Sequence, residues 1–179
     1  MKFKSVLMDE IAVERAIGRI AHEIIEHNKG VDNVVLIGIK TRGLPMAEKI
    51  KEKIYEYENK AVPVGALDIT LYRDDLTDIN VNPSLNGTDI SFDIIGKDLI
   101  LVDDVIYTGR TARAALDAII DIGRPHTVQL AVLIDRGHRE LPIRADYCGK
   151  SVPTAVSEII SVKFVNTDGE QNVAIFTKE

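Results

Sequence analysis

Two adjacent carboxylates close an apolar run in the middle of this chain. Residues 99–119 read LILVDDVIYTGRTARAALDAI, with Asp103 and Asp104 a short step ahead of a Thr108-Gly109-Arg110-Thr111 turn that opens a helix. A buried strand does not end on two like charges unless something nearby compensates them. In an open α/β sheet, ligands sit beyond the carboxyl ends of the strands, and these acids lie at such an end. The helix that follows offers unpaired backbone N–H groups and partial positive charge, which suit a phosphate. Gly109 lets the backbone approach closely, and Thr108 and Thr111 add hydroxyls. The fitting ligand carries a phosphate at one end and hydroxyls or a metal at the other. A ribose 5-phosphate has this shape: the acids accept from its 2′- and 3′-hydroxyls, and a magnesium ion nearby offsets their repulsion. Taken singly, Asp104 reads as a solvated strand end and Thr108 as a helix N-cap. The combination does not, because an isolated cap needs neither two acids nor a hydroxyl-rich turn.

The elements that must position these residues follow from hydrophobic periodicity. Residues 9–29 read as a helix, with Ile11, Ala16, Ile17, Ile20, Ile24 and Ile25 at helical spacing and Gly30 at the C-cap. NVVLIGI (33–39) is a short apolar run expected to be a buried strand, 43–57 a second amphipathic helix, and 62–72 a strand. Residues 73–97 are rich in Asp, Asn, Gly and Pro without strong periodicity, which usually marks a functional or mobile segment. A strand at 98–103, a helix at 110–121 and a strand at 127–134 come next, then short strands near 144–148, 158–164 and 172–176. Alternating strands and helices predict an α/β fold with a largely parallel sheet, plus a small subdomain built from segments near both ends of the central unit.

Composition narrows the function. The chain has 179 residues, enough for one domain with a proper core. Aromatics make up 5% and Trp is absent, which argues against a stacking platform for single strands. With a net charge of −6, any nucleic-acid site must be a local basic patch. Arg15, Arg19 and His22 lie on one polar helical stripe. The single cysteine, Cys148, excludes an internal disulfide and reads as a buried thiol in a strand. The stretch MKFKSVLMDE turns acidic too soon for a secretory signal, and no apolar run reaches membrane-spanning length, so a reducing cytoplasm is expected and a membrane partner is not.

LILVDDVIYTGRT closely resembles the phosphoribosyl pyrophosphate (PRPP) motif of type I phosphoribosyltransferases. GIKTRGLPMA (38–47), DITLYRDDL (68–76) and DRGHRELPIRADYCGK (135–150) resemble one branch of that class, the pyrimidine operon attenuators with uracil phosphoribosyltransferase activity, or PyrR family. The resemblance implies one phosphoribosyltransferase domain over residues 1–179, with a flexible active-site loop at about 73–90 and a hood at about 135–179. It implies transfer of ribose 5-phosphate from PRPP to uracil, giving UMP and diphosphate, with Mg2+ as cofactor. It also implies binding of a leader mRNA hairpin under control of UMP or UTP, and assembly into homodimers or a larger ring of dimers.

By the same resemblance Asp103, Asp104 and Arg42 are catalytic. Lys40, Thr41, Arg42 and Gly43 form a diphosphate loop. Arg73, Asp103, Asp104, Ile106, Tyr107, Thr108, Gly109, Arg110 and Thr111 complete the PRPP or nucleotide site. Asp135 and Arg136 lie near the base, and Asp103 and Asp104 meet the metal indirectly, through ribose or water. Arg15, Arg19, His22, His138, Arg139, Arg144 and Lys150 face RNA. The chain departs from the family pattern at Gly18, where a hydroxyl residue is usual, and at His27, where an arginine is usual. A purine phosphoribosyltransferase without RNA binding shares the PRPP motif, but DITLYRDDL and DRGHRELPIRADY favour the pyrimidine branch. A receiver-like domain with a magnesium-binding acid pair fits less well, because the turn after the acids is rich in hydroxyls.

Overall fold

The computed structural model describes residues 1–73 and 87–178. The loop expected at about 73–90 therefore falls, over 74–86, outside the described residues. Two sheets share the chain. The larger is five-stranded and parallel in the order β3-β2-β4-β5-β6, built from Val64–Leu67 (β3), Val34–Ile39 (β2), Asp98–Ile106 (β4), Thr127–Asp135 (β5) and Tyr147–Ser151 (β6). Every residue of β2 is buried, as a central parallel strand covered on both faces requires.

Helices Glu10–His27 (α1) and Gly43–Glu58 (α2) cover one face, and Arg110–Ile122 (α3) covers the other. The period of two along β4 divides its side chains between them. Ile100 and Val102 join the core under α1 and α2, while Leu99 and Leu101 join the core under α3. Helix α1 starts where Asp9, in extended backbone, accepts from the Ala12 N–H at 2.8 Å. Its buried stripe, Val13, Ala16, Ile17, Ile20, Ala21 and Ile24, repeats at helical spacing.

The smaller sheet is antiparallel, in the order β1-β8-β7, from Lys2–Met8 (β1), Asn172–Thr177 (β8) and Glu158–Lys163 (β7). A short helix, Val165–Asp168 (α4), joins β7 to β8. This hood differs from the range expected for it. Residues 147–151 pair in parallel with β5 and belong to the main sheet, whereas the first strand of the chain joins the hood. The strand expected at 62–72 stops at Leu67. Beyond it, the Asp68 carboxylate accepts from the Thr70 backbone N–H at 3.0 Å and from its hydroxyl at 2.6 Å. That local turn starts the 3₁₀ segment Thr70–Tyr72 in place of further pairing.

Candidate active site

The carboxyl ends of β2, β4 and β5 converge above the sheet. Strand β4 runs past the acids to Ile106, held in register by Asp103 opposite Val132 and Ile106 opposite Asp135. Asp103 Oδ1 accepts from the Asp104 N–H at 3.0 Å, and Asp104 Oδ1 from the Val105 N–H at 2.9 Å. Burial and the neighbouring Asp104 charge push the Asp103 carboxyl well above the usual carboxylate range, with Arg73 opposing. Burial also raises Asp104, opposed by a hydrogen bond from Asp103, the Val105 N–H and the charge of Arg42. Burial thus disfavours the ionised form of both carboxyls, and the neighbouring charge adds to this at Asp103.

The turn expected to hold phosphate lies directly beyond them. Gly109 caps α3 at φ +93°, in the left-handed region that glycine tolerates best. Its carbonyl accepts from the Arg113 N–H at 2.9 Å, starting the helix. The segment after β5 braces the turn: the Thr108 carbonyl accepts from the N–H groups of Glu140 at 2.9 Å and Leu141 at 3.2 Å. Glu140 also pairs with Arg110 at 2.7 Å. Between turn and acids lies a cavity of about 320 Å3, lined by Arg73, Asp103, residues 105–112, Leu130, Val132 and Glu140. The structure therefore brings Arg73, Asp103, Ile106, Tyr107, Thr108, Gly109, Arg110 and Thr111 to one hollow. Asp104 adjoins it through Asp103.

Lys40, Thr41, Arg42 and Gly43 stand beside this cavity rather than in its wall. The Lys40–Thr41 peptide is cis. Two glycines let the start of α2 sit close to the sheet: a Cβ at Gly38 of β2 would lie 2.4 Å from Leu44 Cα, and one at Gly43 would lie 2.2 Å from the Val102 carbonyl oxygen and 3.3 Å from Asp103 Cα of β4. Arg42 points between two acids. It pairs with Asp168 of the hood at 2.6 Å, and the Asp104 charge also stabilises its cation.

Asp135 and Arg136, expected beside the base, do not line the cavity. Asp135 accepts from the Gly137 N–H at 2.9 Å and from Arg139 at 2.6 Å. Arg136 is only 7% exposed; it donates to Thr154 Oγ1 at 3.1 Å and to the carbonyls of Ala155 at 3.3 Å and Glu158 at 2.8 Å. Its guanidinium lies 4.0 Å from the centre of the Tyr107 ring. Arg136 thus backs the wall that Tyr107 presents to the cavity. Sequence reading overlooked that platform and the bracing by Glu140 and Leu141, which carry no signal beyond their place in a charged segment.

The residues expected to face RNA fall into two groups. Arg15, Arg19 and His22 line an open hollow of about 640 Å3 between α1 and α2, together with Lys53, Tyr57 and the acids Glu14, Glu23 and Glu26. His22 stacks on Tyr57 with ring centres 3.8 Å apart. The departure at residue 18 belongs to this contact, because a Cβ on Gly18 would lie 2.9 Å from the Tyr57 hydroxyl. The other departure, His27, meets the Tyr147 ring edge-on at 6.0 Å. Arg19 donates to the carbonyls of Cys148 and Gly149 on the edge strand β6, and Lys150 donates to the Leu7 carbonyl at 3.1 Å.

Arg139 and Arg144 line a separate hollow of about 400 Å3 with Asp135 and Ser151. Arg139 is largely committed there, donating to the carbonyls of Tyr107 and Ile143 at 2.8 Å as well as to Asp135. His138 contacts the Thr154 carbonyl and meets Tyr107 edge-on. Among the described residues, no three His, Cys, Asp or Glu side chains converge as a metal cluster, and no helix is long and apolar enough to cross a membrane.

Comparison with known proteins bears on this arrangement. Residues 7–166 match the phosphoribosyl transferase domain family. The chain is 63% identical over 172 residues to the bifunctional protein PyrR of Clostridioides difficile, covering 96% of this chain and 97% of that one. It is 59% identical over 179 residues to the bifunctional protein PyrR of Thermus aquaticus, covering 100% of this chain and 99% of that one. Among solved structures, the hypoxanthine phosphoribosyltransferase of Trypanosoma cruzi superposes with a TM-score of 0.75 at 20% identity, covering 99% of this chain and 98% of that one. A hypoxanthine-guanine phosphoribosyltransferase of Bacillus anthracis superposes at 0.70 with 21% identity, covering 97% and 98%. At these identities the two structures speak for the fold alone.

Proposed function

The chain belongs to the phosphoribosyl transferase domain family and, within it, to the PyrR proteins, and from that premise we propose that it transfers ribose 5-phosphate from PRPP to N1 of uracil and binds a leader mRNA hairpin under control of uridine nucleotides. One observation carries the catalytic half. Asp103 of the buried acid pair and a glycine-capped, hydroxyl-bearing turn line a single cavity of about 320 Å3, with Asp104 adjoining it through Asp103.

In this reading the α3 turn takes the 5-phosphate on its backbone N–H groups and the hydroxyls of Thr108 and Thr111. Asp103 and Asp104 accept from the ribose hydroxyls, and their negative charge favours the positive charge that develops at C1. The C1–diphosphate bond breaks as the bond to N1 forms, and the N1 proton passes to the departing diphosphate or to water. Diphosphate is a good leaving group, so the protein supplies position and charge rather than a covalent nucleophile. Lys40 and Arg42 balance the departing charge. The Tyr107 ring, backed by Arg136, offers a flat wall to the base.

Magnesium suits these donors only at one remove, because the two carboxylates already accept backbone N–H groups and, among the described residues, no third His, Cys, Asp or Glu converges with them. Asp103 and Asp104 would hold it through water or ribose, and when bound it neutralises diphosphate oxygens.

For RNA, the α1 stripe with Lys150, and the hollow of Arg139 and Arg144, supply the cations on an otherwise acidic chain. Self-association into dimers or rings of dimers accords with this reading. The enzymatic test is product formation from PRPP with uracil, hypoxanthine, guanine or orotate in the presence of magnesium. UMP formation from uracil alone is expected, and turnover of a purine in preference to uracil overturns the assignment. Gel shifts with and without UMP test the regulatory half: affinity for a leader hairpin should rise with UMP, and an unchanged shift leaves only the enzyme.

A further inference from the structure

Arg42, placed above at the diphosphate end of the site, is already occupied. Its guanidinium donates to Asp168 Oδ2 at 2.6 Å, and that contact is the largest influence holding the arginine in its charged form. Asp168 comes from α4 of the hood, 126 positions away in the chain. The contact is one-armed, through a single guanidinium nitrogen and a single carboxylate oxygen. The Asp168 carboxylate has a second donor: Oδ2 also accepts from the Phe164 N–H at 3.0 Å, and the Lys163 charge lies within range. Losing Arg42 would therefore not leave this acid without a hydrogen bond. On the other side, Arg42 already feels Asp104.

We propose that Asp168 is a positioning residue that holds Arg42 in place of the diphosphate and surrenders it when diphosphate or PRPP arrives. The inference rests on the function proposed above. A carboxylate and a phosphate oxygen compete for the same charge-assisted hydrogen bond, and the fixed negative charge of Asp168 also repels the incoming group. Asp168 thus weakens diphosphate binding, which speeds release of that product, while its contact keeps the Arg42 side chain aimed at the site between turnovers. The contact joins the hood directly to the loop that opens α2.

Asp168→Asn removes the charge but keeps a carbonyl oxygen for the Phe164 N–H, so α4 keeps its internal hydrogen bond. The test is calorimetric titration of the wild-type protein, Asp168→Asn and Asp168→Glu with magnesium diphosphate, with PRPP and with UMP. UMP has no diphosphate and serves as the internal reference. Asp168→Asn should bind diphosphate and PRPP about two- to fivefold more tightly, the range for a partly exposed ion pair, with UMP affinity unchanged. In turnover it should lower KM for PRPP together with kcat, as slower diphosphate release requires. Asp168→Glu should restore wild-type behaviour. Weaker or unchanged diphosphate binding by Asp168→Asn, with UMP still bound, overturns the competition and leaves the proposed function standing. Equal changes in all three ligands make the role merely structural and also overturn it. Failure of the wild-type protein to bind any of the three overturns both the inference and the function it rests on.

Discussion

Substituting Gly43 by alanine sets two effects of known sign against each other. Alanine is the better helix former by about 1 kcal/mol, and Gly43 is the first residue of α2. The added Cβ, however, would lie 2.2 Å from the Val102 carbonyl oxygen and 3.1 Å from its carbon, both backbone atoms of the central strand β4. Carbon–oxygen contacts settle at about 3.3–3.6 Å, so the start of α2 must retreat by about 1 Å. Overpacking of that kind costs about 1–3 kcal/mol. After the helical gain, the net loss reaches about 2 kcal/mol, or roughly 4–8 °C in Tm for a chain of this size. The retreat carries Lys40, Thr41 and Arg42 away from the acid pair, and a misplacement of about 1 Å costs on the order of 100-fold in kcat/KM. Thermal unfolding followed by circular dichroism, and initial rates with PRPP and uracil, give both numbers. A Tm equal to or above wild type with unchanged kcat/KM would refute the reasoning, because the helical gain would then have outweighed the clash.

Further outcomes follow from the same structure. The raised carboxyl of Asp103 means the unfolded chain gives up its proton first, so the stability of the ligand-free protein should fall as pH rises past the ordinary value of 3.8, and stop falling once the raised native value is passed. Asp103→Asn should flatten that part of a Tm-against-pH profile and raise Tm at neutral pH while suppressing turnover; an unaltered profile contradicts the raised carboxyl. Arg136→Met removes the guanidinium donor from the Glu158 carbonyl, while the Ala155 carbonyl keeps the Glu158 N–H at 3.0 Å; the change costs about 1–3 kcal/mol and takes away the cation behind the Tyr107 ring. Its KM should rise more for uracil than for PRPP, and a parallel rise would deny Tyr107 a place beside the base. Gly18→Thr places a side chain 2.9 Å from the Tyr57 hydroxyl and should push the Tyr57 ring off His22. The ring-current shift of the His22 imidazole in NMR spectra should disappear with it; its persistence would mean the stack does not depend on the space above residue 18.

What could be read from the chain alone was what neighbours in sequence fix. Asp103, Gly109 and the two threonines of the turn lie within nine residues of one another, and their grouping in one cavity follows from a strand running directly into a helix. The parallel sheet was legible because β2 and β4 carry apolar runs that only two-sided burial explains. Strand β1 was not, because KFKSVLM carries two lysines and a serine and buries only Met8. Its pairing is decided by β8, far along the chain. The end of β3 was hidden by continuing apolar residues, since Asp68 turns the backbone through its side chain rather than by any break in pattern. Asp135 and Arg136 stand at a strand end, as pocket residues do, but the carbonyls that claim Arg136 lie on residues 155 and 158. The pairing of Arg42 with Asp168 has no trace in either local sequence for the same reason.

The claim on which this account depends is that the acid pair and the α3 turn grip opposite ends of one ribose phosphate. Equilibrium titration of the wild-type protein and of Asp103→Asn/Asp104→Asn with UMP, 2′,3′-dideoxy-UMP and uridine tests it most directly. Hydrogen bonds to charged groups contribute about 1.5–3 kcal/mol, so wild type should prefer UMP over the dideoxy compound by roughly 10- to 100-fold. It should lose affinity again for uridine, which lacks the phosphate, and the double variant should no longer distinguish UMP from its dideoxy form. Equal affinity of the wild-type protein for UMP and 2′,3′-dideoxy-UMP would contradict the account.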